Sequence, residues 1–145
     1  MGEIPMNQGQ CIFCGIVTGA LPAATLYEDD ATLAFMDINP LADGHCLVIP
    51  KAHCEDLLTA GDDVAALVGQ TTARVARAVK TALQPDGLNV FQANGVAAGQ
   101  TVFHLHFHIL PRFVDDHFTI QFHGNPTSNR EHLATIARRI EQALP

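Results

Sequence analysis

Tryptophan is absent from this 145-residue chain, tyrosine occurs once, and charged residues make up only 16% of the sequence. No apolar run approaches the roughly 20 residues that a membrane-spanning helix needs. The N-terminal residues 1–10 contain no basic region followed by an apolar one, so a secretory signal peptide is not expected. These absences predict a cytoplasmic protein without a membrane partner.

Basic residues are also scarce, and they form no run. Lysine and arginine number 8 against 15 aspartate and glutamate residues, which gives a net charge of −7. An acidic chain without a basic patch is a poor candidate for binding the backbone of a nucleic acid. Any phosphate group must therefore be bound locally, by a few well-placed donors. The low charged fraction also suggests an apolar surface that a second subunit covers.

The four cysteines do not suggest a disulfide framework. A chain of 145 residues can build a core without disulfides, and four cysteines in such a chain are more typical of intracellular thiols or metal ligands. No repeat, low-complexity segment or linker divides the sequence. We therefore expect a single domain over residues 1–145, with residues 1–10 as a flexible leader.

Local patterns predict an α+β fold with an antiparallel sheet. Apolar residues at helical spacing predict a long helix that begins with Asp62 or Asp63 as its N-cap and ends before residues 85–87. A C-terminal helix is predicted at residues 130–144, with Ser128 and Glu131 placed as a capping box. The predicted strands are residues 25–28, 32–36, 46–49, 88–92 and 102–110, and residues 11–17 form a turn leading into a short helix. This order favours antiparallel pairing over a βαβ arrangement.

Histidines alternate with apolar residues in the last predicted strand. His104, His106 and His108 are separated by Leu105 and Phe107. Because successive side chains of a strand point to opposite faces, the three imidazoles are expected to project from one side. Histidine can be a nucleophile, a proton carrier or a metal ligand near neutral pH. The alternative is a solvated face by chance, but such a face would favour threonine, lysine and glutamate.

Four further histidines lie outside this run and have no comparable sequence context. Two fall in the polar stretch after Arg112, and one lies in the predicted C-terminal helix. We expect all four to be surface or loop residues: His45, His117, His123 and His132.

A C-x-x-C pair near the N-terminus offers two thiolate ligands. Cys11 and Cys14 complete a Cys2His2 set with His53, which follows a predicted strand, and His104, which begins the histidine run. Zn2+ takes this ligand set in closed structural sites, although the spacing is not that of a zinc finger. A thioredoxin-like redox pair would need a preceding apolar strand, which the sequence lacks. A chance pair is the third alternative.

Two loops carry residues suited to a nucleotide. Five residues precede the histidines: Asn94, Gly95, Gly99, Gln100 and Thr101. The glycines let the backbone approach an anion closely, and the other three side chains supply uncharged hydrogen-bond donors for phosphate oxygens. An ordinary hairpin turn is the alternative interpretation. Asp37, in the loop after the second predicted strand, is either a turn former or an acceptor for the two hydroxyls of a ribose.

Five segments together match the pattern of a known family. They are Cys11-Ile12-Phe13-Cys14, Leu26-Tyr27-Glu28-Asp29-Asp30, Phe35-Met36-Asp37-Ile38-Asn39-Pro40, Gly44-His45-Cys46-Leu47-Val48-Ile49-Pro50-Lys51-Ala52-His53 and Gly99-Gln100-Thr101-Val102-Phe103-His104-Leu105-His106-Phe107-His108-Ile109-Leu110-Pro111-Arg112. They span nearly the whole domain in the family's order, and the last is the family's signature. On these segments the chain resembles the histidine triad family of nucleotide hydrolases.

The resemblance implies roles for individual residues. His106 would attack the α-phosphorus of a purine nucleotide and become nucleotidylated, after which water releases the nucleoside monophosphate. His108 would contact the phosphate or the bridging atom. The implied nucleotide-binding residues are Asn94, Gly99, Gln100 and Thr101 at the phosphates, Asp37 at the ribose, and Phe13, Ile16, Phe35 and Ile38 at the base, together with Asn39.

The resemblance also implies a metal and an assembly. In zinc-bearing bacterial-type members the ligands match Cys11, Cys14, His53 and His104. The implied fold is an antiparallel five-stranded sheet with one long and one C-terminal helix, paired with a second copy into one continuous sheet. His108 stands where the galactose-1-phosphate uridylyltransferase relatives carry glutamine, which argues for hydrolysis. The chain lacks the tryptophan that the eukaryotic Hint-type branch carries near its C-terminus, so a prokaryotic member similar to the Hint- and Fhit-type hydrolases fits best.

The sequence leaves the substrate and two other function classes open. An adenosine phosphoramidate, an aminoacyl adenylate or a dinucleoside polyphosphate would each suit the implied chemistry. One alternative is a zinc-stabilised nucleotide- or partner-binding protein whose turnover is incidental. The other is a thiol redox protein that uses Cys11 and Cys14, and tight stoichiometric zinc would argue against it.

Overall fold

One antiparallel sheet organises the computed structural model, which describes residues 10–120, 124 and 129–145. Its strands are β1 (Thr25–Glu28), β2 (Thr32–Met36), β3 (Cys46–Pro50), β4 (Gly87–Phe91) and β5 (Phe107–Arg112). The strand order across the sheet is β1-β2-β3-β5-β4. This arrangement confirms the predicted α+β class with a five-stranded antiparallel sheet.

Three helices accompany the sheet: α1 (Ile12–Val17), α2 (Asp62–Leu83) and α3 (Arg130–Ala143). The long α2 packs on one face of the sheet, where small and branched side chains of the two elements form the core. That core contains Ala34, Cys46, Val48 and Ile109 from the strands and Val68, Val75 and Val79 from α2. In the described part of the chain, no helix combines the length and the apolar character needed to cross a membrane.

The opposite face of the sheet is covered near its middle by α1. Cys11 and Phe13 pack there against Phe35 of β2 and Leu47 of β3. β3 is therefore buried on both faces, which explains its continuous apolar sequence. The same packing brings the C-x-x-C segment close to the histidine run.

The last strand is shorter than the sequence predicts. The sequence predicts an extended run over residues 102–110, but β5 begins only at Phe107, where the ladder with β3 starts opposite Val48. Upstream of it, the N–H of Leu105 donates to the carbonyl of Cys54 at 2.8 Å rather than to a neighbouring strand. Of the three alternating histidines, only His108 lies on a strand.

The helix caps also differ from the predicted ones. The N-cap of α2 is Gly61, which makes no side-chain cap, and Asp62 and Asp63 lie in the first turn instead. There their charges complement the helix dipole. The N-cap of α3 is Asn129, whose side chain accepts the N–H of His132 at 2.9 Å. The proposed cap Ser128 and most of the expected leader (residues 1–9) lie outside the described residues.

Candidate functional site

The four predicted metal ligands lie together where α1 meets the histidine run. The Sγ of Cys14 is 3.3 Å from Nδ1 of His53 and 3.6 Å from Nδ1 of His104. The Sγ of Cys11 is 3.5 Å from the same His104 nitrogen, and the two imidazole nitrogens are 3.2 Å apart. All four donor atoms lie within 4.8 Å of one another.

These separations fit a tetrahedral zinc ion. With Zn–N bonds of about 2.0 Å and Zn–S bonds of about 2.3 Å, two nitrogens lie about 3.3 Å apart and a nitrogen and a sulfur about 3.5 Å apart. His104 also has the required tautomer. Its Nε2–H donates to the carbonyl of Pro50 at 2.8 Å, which leaves the Nδ1 lone pair facing the cluster. The residues present therefore fit the metal that the sequence predicts.

The Cys14 thiol needs a nearby cation to ionise at neutral pH. Burial, together with the neighbouring Cys11 thiol, raises the pKa of Cys14 to about 11. A bound metal ion reverses this effect because its positive charge favours the thiolate. Cys11 is the N-cap of α1, and one helical turn places Cys14 beside it. Two histidine nitrogens next to this pair favour a metal site over a redox pair.

A cleft of about 1120 Å³ opens on the sheet face that carries α1. Most of the predicted catalytic and nucleotide-binding residues line it. They are Phe13, Ile16, Phe35, Asp37, Ile38, Asn39, Gly99, Thr101, His106 and His108. The fold thus brings together residues from α1, β2, the β2–β3 loop, the loop after β4 and the histidine run.

Two predicted phosphate-binding residues are not among the lining residues. Gln100 is buried, and its side chain accepts the N–H of Gly95 at 2.7 Å and donates to the carbonyl of Glu55 at 2.7 Å. The side-chain oxygen of Asn94 accepts the N–H of Leu57 at 2.8 Å. These contacts hold the loop after β4 in place. A phosphate contact by either residue stays a prediction.

His106 is buried in the cleft wall with one ring nitrogen already used. Its Nδ1–H donates to the carbonyl of His104 at 2.7 Å, so Nε2 keeps its lone pair. Burial lowers the pKa of His106, against the opposing effects of that carbonyl and of Asp37. The ring packs edge to face on Phe13, with 5.2 Å between centroids. A neutral, oriented imidazole with a free lone pair can act as a nucleophile.

His108 has the opposite tautomer because of His45. The N–H of Leu41 donates to Nδ1 of His45 at 3.1 Å, so the ring hydrogen of His45 is on Nε2. That hydrogen is donated to Nδ1 of His108 at 2.9 Å, which leaves the hydrogen of His108 on Nε2. Burial, with His106 and His45 nearby, lowers the pKa of His108 to about 4. His108 is therefore a neutral hydrogen-bond donor in the cleft.

The expectation that His45 is a surface residue is wrong. It is only 2% exposed, and its Nε2 lies 3.5 Å from the carboxylate of Asp37. Alternation along the chain places His45 on the same face as Leu47, whose partner in register is His108. Its position directly before an all-apolar strand was the signal that could have identified it. The other three histidines of that group are exposed (His117 and His132) or lie outside the described residues (His123).

Asp37 forms a turn, which is one of the two roles that the sequence left open, and ribose binding stays a prediction. One carboxylate oxygen accepts the N–H of Asn39 at 2.8 Å, which closes a turn. The other oxygen lies beside His45, at the lining of the cleft. The turn leaves Ile38 92% exposed at the rim. This oxygen is available to accept hydrogen bonds from a ligand.

Phe91 is a further site residue that no sequence motif indicates. It lies at the end of β4, opposite His108 in the β4–β5 register. The two rings are stacked, with 4.3 Å between centroids and 7° between planes. Phe91 therefore fixes one side of the His108 ring while His45 fixes its Nδ1.

Comparisons with known proteins agree with this geometry. A HIT domain family model matches residues 18–115. The crystal structure of a HIT family protein from Bacillus subtilis is 39% identical, with a TM-score of 0.89 over 93% of this chain and 97% of that one. A Zn-bound histidine triad family protein from Mycobacterium smegmatis is 37% identical, with a TM-score of 0.73 over 95% of this chain and 100% of that one.

A plant relative carries a named activity. Adenylylsulfatase HINT3 of Arabidopsis thaliana is 42% identical over 105 residues, which are 72% of this chain and 53% of that protein. The residues that the HIT family model matches contain all five strands, α2 and the histidine run described above. The resemblance seen in the sequence is thereby confirmed, and the chain belongs to the HIT family.

Proposed function

We propose that the protein is a nucleotide hydrolase. It acts on the α-phosphate of adenosine phosphoramidates, aminoacyl adenylates or dinucleoside polyphosphates and releases a nucleoside monophosphate. The observation that carries this proposal is the 2.7 Å hydrogen bond from Nδ1–H of His106 to the carbonyl of His104. It leaves a lone pair on Nε2 in a cleft of suitable size for a nucleotide. Similarity to an adenylylsulfatase supports a reaction at an adenylate phosphorus.

In the first proposed step, Nε2 of His106 attacks the α-phosphorus and forms a P–N bond. The bond from phosphorus to the leaving group breaks, and the leaving group departs with the electron pair. The Nε2–H of His108 donates a hydrogen bond to the leaving atom as negative charge develops there. His45 holds His108 in the tautomer that this donation requires.

In the second step, water attacks the phosphorus of the adduct. The P–N bond breaks, its electron pair returns to Nε2 of His106, and the proton of water passes to the solvent. The Nδ1–H of His106 stays bonded to the carbonyl of His104 throughout. This bond stabilises the positive charge that the ring carries while Nε2 is bonded to phosphorus.

The remaining predicted site residues would orient the nucleotide. Gly99 and Thr101 lie in the cleft near the histidines and would bind phosphate oxygens, and Asp37 would accept the ribose hydroxyls. The apolar residues Phe13, Ile16, Phe35 and Ile38 form the part of the lining that suits a base.

Release of AMP from adenosine phosphoramidate, an aminoacyl adenylate and diadenosine triphosphate tests the proposal. We expect turnover by the wild-type protein and a loss on the order of 10³-fold or more in His106→Ala. His117→Ala is the matched control, because this exposed histidine lies outside the cleft lining. Tight nucleotide binding without any turnover would favour the alternative of a nucleotide-binding protein.

We also propose that Cys11, Cys14, His53 and His104 hold a structural Zn2+. The donor separations support this, as does the Zn-bound relative from Mycobacterium smegmatis. A zinc ion at this position would tie α1 to the segment that carries the histidines. Structural zinc contributes folding free energy directly.

A homodimer is the third part of the proposal. β4 lies at an edge of the sheet, and Val90 on it is 48% exposed. An exposed edge strand is a template for pairing with another strand. Pairing of β4 with its copy would continue the sheet through a two-fold axis, and Leu67 and Leu83 of α2 are exposed apolar residues that such an interface could cover.

A further inference from the structure

Arg112 holds the segment that follows β5 in one position. Its guanidinium makes two hydrogen bonds to the carboxylate of Asp116, at 2.8 and 2.9 Å, and one to the side chain of Asn89 at 2.8 Å. It also donates to the carbonyl of Phe118, and it lies 5.0 Å from the centre of that ring. Asp116 in turn accepts the N–H of Phe113 at 2.9 Å. A bidentate ion pair with stacking is among the more specific contacts a side chain can make.

The segment held by Arg112 forms one wall of the cleft. Phe118 and Ile120 are half-buried and line the cleft together with Phe91, which stacks on His108. The anchor of Arg112 on β4 places this wall along that strand. The apolar residues proposed for the base lie across the cleft, on α1, on β2 and in the loop after β2. The base would therefore bind on one side of the histidines, and this wall lies on the other side. A leaving group bonded to the α-phosphate would extend toward the wall.

The cleft is poorly suited to a leaving group with several negative charges. Among the described residues that line it there is no lysine or arginine, and the carboxylate of Asp37 has the unfavourable sign. The chain as a whole carries a net charge of −7. Polyphosphates are usually bound through arginine, lysine or a metal ion. By contrast, burial of an apolar leaving group against this wall would be favourable, because it removes apolar surface from water.

We propose that Phe91, Phe118 and Ile120, positioned by Arg112, form a leaving-group subsite that selects apolar amines. The inference rests on the proposed hydrolase function and narrows its substrates to adenosine phosphoramidates of apolar amines. In the reaction the P–N bond to the amine breaks. The amine departs with the electron pair and takes a proton from the solvent, and water supplies the oxygen added to AMP.

A series of adenosine phosphoramidates of methylamine, butylamine and hexylamine isolates this effect, since the three amines have nearly the same basicity. We expect kcat/KM to rise along the series, by up to about fourfold for each methylene that is buried. Diadenosine tetraphosphate should be the poorest substrate of the set. Phe118→Ala should flatten the rise, and Phe118→Leu should keep part of it.

Phe113→Ala provides the matched control. Phe113 belongs to the same segment but is 39% exposed and does not line the cleft, so this variant should keep the wild-type slope. Arg112→Gln tests the positioning role, because it removes the bidentate pair without touching the cleft. It should raise KM for the hexylamine substrate while changing kcat little.

The outcomes separate this inference from the function on which it rests. A flat series for the wild-type protein, an equal loss on all substrates in Phe118→Ala, or a preference for diadenosine tetraphosphate contradicts the subsite and leaves hydrolysis intact. If Phe118→Ala does not fold, as judged by thermal unfolding, the wild-type series and Phe118→Leu decide. Absence of AMP release from every substrate overturns the hydrolase function and the subsite with it.

Discussion

The carbonyl oxygen of His104 accepts the Nδ1–H of His106 at 2.7 Å, while the imidazole of His104 faces the thiols of Cys11 and Cys14. One residue therefore connects the proposed zinc site to the proposed nucleophile. A displacement of the main chain at His104 would change both the position and the tautomer of the attacking ring. A metal outside the cleft would thus support catalysis by fixing geometry.

Loss of one metal ligand should therefore reduce both stability and activity. In Cys14→Ala we expect loss of bound zinc, lower kcat and a fall in Tm of roughly 10 °C, which corresponds to about 3 kcal/mol in a domain of this size. Metal analysis and calorimetry measure these effects. Cys54→Ala is the matched control, because Cys54 lies outside the ligand cluster. A folded wild-type protein without zinc, in which both ligand cysteines are freely alkylated, would refute the site.

Removal of His45 should slow the hydrolysis of substrates with poor leaving groups more than that of substrates with good ones. His45 fixes the tautomer in which His108 donates a hydrogen bond to the leaving atom. Because p-nitrophenolate is already a stable anion, its departure depends little on that hydrogen bond. In His45→Ala we expect kcat to fall about 100-fold for adenosine phosphoramidate and less than about 10-fold for the p-nitrophenyl ester of AMP. His132→Ala, at an exposed position, should retain both rates. An equal loss on the two substrates would contradict the assigned role.

Acidification should destabilise the protein through His108. Its pKa is lowered from 6.5 to about 4, because of burial first and the neighbouring histidines second. Between these two values the unfolded chain binds more protons than the folded one, so stability is full above about pH 6.5 and decreases as the pH falls toward 4. Urea unfolding at several pH values measures this slope. His108→Gln should make it shallower and His117→Gln should not, whereas unchanged slopes in both would count against the assignment.

The protein should be dimeric in solution. Size-exclusion chromatography with light scattering should give a mass near twice the 15.6 kDa of the chain. Val90→Glu places a charge on the exposed edge strand and should shift the protein toward monomer. Glu131→Gln, on the exposed face of α3, serves as the charge-change control. A monomeric wild-type protein at micromolar concentration would contradict the interface.

Local physics made much of the fold predictable from the sequence. The first two strands follow from short β-type runs around a turn, and their observed bounds equal the predicted ones. The grouping of Cys11, Cys14, His53 and His104 could be anticipated because a C-x-x-C pair and two histidines make the Cys2His2 set that zinc takes. Both inferences depend on residue chemistry or on near neighbours along the chain.

The features that the sequence did not reveal depend on contacts between distant segments. His45 is buried because β3 and β5 pair beside it, and a bond from Leu41 sets its tautomer. The extended run expected before Phe107 is interrupted because Leu105 bonds to Cys54, 51 residues earlier in the chain. Phe118 lies at the cleft in a segment whose carbonyl accepts a hydrogen bond from Arg112. No local pattern encodes these partners.

The most direct test of the account is to trap the covalent adduct at His106. The protein is mixed with adenosine phosphoramidate, quenched in alkali after milliseconds to preserve a phosphorus–nitrogen bond, digested and mapped by mass spectrometry. The proposed mechanism predicts an adenylyl group on His106 that forms and decays as fast as AMP is released, and that is absent from His106→Ala. Full-rate release of AMP with no adduct on His106 at any time point would contradict it.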